Sequence, residues 1–193
     1  MALSMQVKFI AGRTRRSGAK KYMRGQKGFS LIELLIVVAI ILIIAAIAIP
    51  NMARARMAAN ESSAASGVRS ITAAEVSYAN TFPSTGYAVQ IQDLGYTIPC
   101  TPAPTHACLL DNNLASAFPG SPGHSGYQFL ATGINGGALM NVSFVVGATP
   151  INPQRTGSRD FCAITDGVLR NQVTAAGLPV NNIGACLAYP IAQ

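Results

Sequence analysis

The chain has 193 residues and a formal charge of +7, yet only 11% of its residues are charged. Eight cations (Lys8, Arg13, Arg15, Arg16, Lys20, Lys21, Arg24 and Lys27) lie in the first 27 residues, with no acid among them. The remainder carries six Arg against seven acids, so the basic character belongs to the N-terminus and not to a folded nucleic-acid surface; no nucleic-acid partner is expected.

Residues 1–28 read as a cleaved basic leader, and Met23 offers an alternative start that would leave only Met23–Gly28 ahead of the cut. Positive charge there keeps the N-terminus in the cytoplasm. Residues 29–50 follow as a transmembrane and assembly helix. From Phe29 to Ile49 the chain is apolar for 21 residues, enough to cross a bilayer, with Pro50 at its end. One carboxylate, Glu33, interrupts it. A charge inside a membrane helix costs roughly 2.5–3.5 kcal/mol on insertion scales, so Glu33 calls for a partner. A cut after Gly28 would create one: the new amine of Phe29 on a neighbouring copy, a cation at the same depth.

The segment Gly28, Phe29, Ser30-Leu31-Ile32, Glu33, aliphatic run and Pro50 resembles the N-terminal signature of type IV prepilins and type II secretion pseudopilins. The resemblance implies cleavage between Gly28 and Phe29 by a prepilin peptidase, which also methylates the new Phe29 terminus. It further implies an inner-membrane assembly platform as partner and a homo-oligomeric filament as product. The subunit would cross the inner membrane once before assembly, then join an extracellular or periplasmic filament. The implied fold is α+β and type IV pilin-like: a long N-terminal helix, half membrane-spanning and half amphipathic, packed on a small antiparallel sheet. The chain departs from many members in having Leu42 where they have Gly, which leaves Pro50 as the one strong helix breaker.

Residues 51–82 continue the helix. Ala64, Val68, Ile71, Tyr78 and Phe82 recur at spacings of three, four and seven, an apolar stripe that a globular domain would cover. Gly67 weakens the middle, and Phe82-Pro83 ends the helix. A helix of about fifty residues is roughly 75–80 Å long, so its first half must lie in lipid or among other subunits. Residues 83–126 are rich in Pro, Gly, Ser and Thr and read as a variable connecting loop, with a short strand or helical turn within 87–95. Residues 127–193 carry the strand signals. Tyr127–Thr132, Leu139–Val146 and a tight Asp166-Gly167 hairpin between 160–165 and 168–170 predict three or four antiparallel strands. The tail from Asn171 reads as loop or edge strand tied back by Cys186.

Cys100, Cys108, Cys162 and Cys186 all follow the membrane segment, and an even count in an exported domain points to disulfides. Of the three possible pairings, Cys100 with Cys108 closes a short Pro-rich loop. The pilin resemblance implies Cys162 with Cys186, as a C-terminal disulfide loop. No C-x-x-C pair argues for zinc, and Asp160 with Asp166 falls short of the six to eight oxygens calcium wants, so no metal is expected. His106 and His124 stand in Pro/Gly-rich loops away from any nucleophile, so neither an enzyme nor a cofactor is expected. Tyr78, Phe82 and Tyr87 read as core packing and not as an electron path. The reading is a structural subunit of a type IV pilus or similar filament, with a type II secretion pseudopilin as the alternative. A secreted domain cut at Ala46-Ile47-Ala48 leaves Glu33 and Phe29 unexplained, and neither it nor an uncleaved membrane-anchored binding domain accounts as well for the long Ala-rich helix after Pro50.

Overall fold

The computed structural model describes residues 28–96, 98–137, 140–175 and 177–192. The leader expected over 1–28 lies outside the described residues except for Gly28. The chain divides into two units, Met1–Leu42 and Ile43–Gln193.

Helix α1 runs from Leu31 to Thr81 and includes Pro50. Leu, Ile, Val and Ala dominate its first part and Ala its second, and no glycine occurs before Gly67. Proline has no N–H, so the carbonyl of Ala46 loses its helical donor, yet the helix continues. The last helical bond is Phe82 N to Tyr78 O (2.8 Å), and Pro83 stops further turns.

Strands β1 (Tyr127–Ile134), β2 (Ser143–Pro150), β3 (Arg159–Ile164) and β4 (Arg170–Val173) form one sheet in chain order. Every pairing is antiparallel, with registers such as Ala131↔Val146, Val146↔Ala163 and Cys162↔Arg170. The sheet is therefore a meander, in which each strand pairs with its sequence neighbour. One core joins helix and sheet: Ala64, Val68, Ile71 and Tyr78 of α1 are buried with Phe129, Phe144, Val146 and Phe161. These are the stripe residues named from periodicity, with Phe82 half-buried at their edge.

Gly67 has a packing reason. A Cβ there would lie 2.8 Å from the Phe129 ring, so the missing side chain lets β1 approach the helix. Side chains also tie α1 to the sheet. Ser158 donates to Glu61 Oε1 from both its N–H (2.8 Å) and its hydroxyl (2.7 Å). Asn60 Nδ2 donates to Thr156 O at 2.9 Å.

Three local expectations are corrected. The second strand begins at Ser143 and not at Leu139, which lies outside the described residues. Asn141 belongs to another ladder: its N–H donates to Thr85 O, its carbonyl accepts from Tyr87 N, and its side chain donates to Tyr87 O. The Asp-Gly hairpin is wider than two residues. Asp166 accepts from Val168 N (2.9 Å) and holds the Arg170 guanidinium (2.6 Å), so pairing resumes only at Arg170. The tail holds a short helix, α3 (Ile183–Leu187), whose Asn182 side chain accepts from Ala185 N at 2.8 Å.

The described residues of 83–126 are mostly irregular, with a 3-10 turn over Ile91–Leu94 and a one-turn helix α2 (Asn112–Ala115). This connection covers the outer edge of β1: Phe129 N donates to Ala117 O and Gly133 N to Val89 O. The tail covers β4, with Asn171 N donating to Pro190 O and Ala192 N to Leu169 O. Disulfides join Cys100 to Cys108 and Cys162 to Cys186. The second fastens α3 to the buried middle of β3, where Cys162 and Cys186 are fully enclosed.

Candidate assembly segment

Gly28, Phe29 and Ser30 precede α1 in open chain. The Ser30 N–H donates to Glu33 Oε2 at 3.3 Å, while Leu34 N donates to Ser30 O. This is half of a capping box, with the third helical residue reaching back to the cap. The Ser-x-x-Glu spacing at 30–33 signals it in the sequence, and it gives Glu33 a local duty beyond the one argued from charge. The acid also stands in the first turn, where the positive end of the helix dipole favours it.

From Leu34 to Ile49 the helix offers only hydrocarbon. Leu34, Leu35, Ile41, Leu42, Ile44, Ile47 and Ile49 are all more than half exposed. Phe29 is 80% exposed, so the chain itself provides no pocket for it. Leu31–Thr81 contains a stretch long and apolar enough to cross a membrane. Isolated exposed apolar residues need no explanation, but a contiguous run of this length does.

The other sequence candidates sit apart from this segment. Asp160 is buried and accepts from Thr149 Oγ1 at 2.5 Å. The Asp166 carboxyl is held below its usual range, chiefly by its hydrogen bond from Arg170. The two acids thus serve different strands. His106 accepts or donates at Nδ1 with Thr105, and His124 pairs through its backbone with Tyr127. Tyr78 packs on Phe82 at 4.9 Å and Tyr87 on Phe144 at 4.8 Å, within the helix-to-sheet core.

Sequence reasoning passed over Glu75. It is fully buried in α1, and its Oε2 accepts from Ala88 N at 2.9 Å while Oε1 has no partner. Burial, aided by nearby Asp93 and opposed by the Ala88 bond, pushes its carboxyl from 4.5 up to about 8. Its place three residues before Tyr78 and four after Ile71 put it on the apolar stripe, which was the available signal.

Residues 23–49 match the family model of the prokaryotic N-terminal methylation motif. The chain therefore carries a prepilin-type N-terminal motif, on an α+β, pilin-like fold. It is similar to the type IV wide pilus major component PilA4 of Thermus thermophilus, at 64% identity over 39 residues. That stretch is 20% of this chain and 30% of the relative, so the chain spans under a third of the relative's length. No solved structure matches the chain.

Proposed function

We propose that this chain is the structural subunit of a type IV pilus or pilus-like filament, with no catalytic role of its own. Prepilin peptidase cuts between Gly28 and Phe29 and methylates the new terminus. The subunit waits in the inner membrane with its N-terminus cytoplasmic, and the assembly platform then moves it into the filament. One observation carries the reading: the methylation motif matched over residues 23–49 takes in an apolar helical run that the chain leaves exposed. In the membrane, lipid covers that run; in the filament, neighbouring copies do. The Phe29 amine of one copy pairs with Glu33 of the next and removes the cost of a lone carboxylate in an apolar setting. Pro50 marks the end of the segment that moves between the two environments.

The intact mass and N-terminal peptide of protein recovered from its native membrane or shear fraction test the route. The expected terminus is N-methylated Phe29; a chain starting at Ile49, or one with an uncut leader, overturns it. Glu33→Ala tests the pairing. The variant is expected to insert and be cleaved but to yield few filaments, and wild-type filament yield would sink the mechanism.

A further inference from the structure

The apolar run ends at Ile49, and within about two helical turns α1 carries Met52, Arg54, Arg56 and Met57. An open cleft of ≈ 630 Å³ lies there. Ile49, Met52, Arg56 and Met57 form its helical wall, and Gln154 and Arg155 face them from the β2–β3 loop. That loop is fixed: Gln154 N donates to Gly157 O, Arg155 N and Thr156 N donate to Asn152 O, and Asn60 ties Thr156 back to α1.

The charges of this end are uncompensated. Among the described residues the ion pairs are Arg159 with Glu61 and Arg170 with Asp166, and neither includes Arg54, Arg56 or Arg155. The acids are committed elsewhere. Glu61, Glu75, Asp93, Asp160 and Asp166 each accept hydrogen bonds within their own chain. Asp111 is the one acid beyond the apolar run whose carboxylate has no such bond among the described residues. A second copy therefore offers this cleft few carboxylates free of internal bonds, Asp111 among them.

Depth points to lipid. The 21-residue run from Phe29 to Ile49 is about as long as the ~30 Å hydrocarbon core is thick. Headgroups occupy roughly the next 5–7 Å. At 1.5 Å per residue, Met52 lies about 5 Å beyond Ile49, within the headgroup layer, and Arg56 about 10 Å beyond it, just outside that layer, where a long side chain reaches back to the phosphates. We infer that this cleft binds an anionic phospholipid of the leaflet in which the apolar run ends. Arg56 and Arg155 hold the phosphate from opposite walls, and Ile49, Met52 and Met57 take the upper acyl chain. Guanidinium forks suit phosphate oxygens, and methionine adapts to a mobile chain. Arg54 adds long-range attraction, screened beyond about 8–10 Å at ordinary salt. The inference rests on the proposed function only in requiring the run to lie in a bilayer.

The test is native mass spectrometry of the full chain in detergent, titrated with phosphatidylglycerol or with phosphatidylcholine. A one-to-one phosphatidylglycerol adduct is expected, with a preference of roughly thirtyfold for two juxtamembrane arginines. The double variant R56Q/R155Q should lose that preference, and the charge-matched R69Q/R159Q should keep it. Equal binding of the two lipids, an unaffected R56Q/R155Q, or a protein dimer that excludes lipid from the cleft would each overturn the assignment. The N-terminal mass separates the two proposals. A chain that prefers phosphatidylglycerol but is uncut at Gly28 ends the filament reading alone, and a chain cut there with no lipid preference ends this one alone.

Discussion

Two stretches of α1 solve the same chemical problem in different ways. Residues 31–49 are aliphatic with one carboxylate, Glu33; residues 64–78 are apolar along one stripe with one carboxylate, Glu75. In the second stretch the chain finishes the job itself. Sheet and connecting loop cover the stripe, and the Ala88 amide reaches Glu75. In the first, the side chains stay exposed and Glu33 receives only the amide of Ser30, three residues away. A carboxylate in hydrocarbon thus marks either a finished core or an unfinished one, and coverage by the chain's own residues tells them apart.

The comparison is sharpened most by pH. The folded-state pKa of Glu75 is raised from 4.5 to about 8. Its contribution is fully present below pH 4.5, where both folded and unfolded chains hold the proton. Between 4.5 and 8 the unfolded chain releases a proton that the folded chain keeps, so stability falls as pH rises and levels off above 8. The loss is on the order of 5 kcal/mol over that window. Denaturant titrations from pH 4 to 9 should show this slope in the wild type, and Glu75→Gln should flatten it; equal slopes would mean that Glu75 is not the group responsible.

Paired truncations come next. Ile71→Ala should destabilise the folded domain by about 2–5 kcal/mol, because Ile71 is fully buried. Ile40→Ala, at a site 52% exposed, should leave the same unfolding midpoint unchanged within about 0.5 kcal/mol. A comparable loss at both sites would break the distinction between covered and uncovered halves. The smallest effect belongs to Gly67→Ala. Helix propensity favours alanine by about 1 kcal/mol, but the Phe129 ring stands where its methyl must go. The expected outcome is net destabilisation of about 1–2 kcal/mol, read in the same assay. A gain in stability would show that the ring moves aside at little cost.

Much of this was legible in the chain. Uniform aliphatic composition to Ile49 and the stripe from Ala64 to Tyr78 are short-period patterns, and the structure places their residues on opposite sides of the burial divide. The strands were legible in number more than in limits. Asn141 leaves the sheet for Thr85 and Tyr87, partners more than fifty positions away along the chain, and local propensity carries no trace of such a contact. Asp166 widened its turn through a side-chain bond to Arg170 that an Asp-Gly dipeptide does not announce. At the candidate site, the motif matched over residues 23–49 is contiguous in the chain and so was open to reading from the sequence. The Arg56–Arg155 cleft was not, since its walls come from positions about a hundred residues apart and become neighbours only through folding.

The covered margins of the sheet decide what sort of cable this subunit can make. Fibres in which each molecule lends a strand to the next are joined by ladders of backbone bonds and are hard to take apart. Here the connecting loop occupies the flank of β1 and the tail occupies that of β4, so each copy keeps its backbone ladder to itself. A filament of this chain, assembled as proposed, would be held by side-chain contacts between helices. Contacts of that kind would let a subunit join or leave such a filament without unfolding.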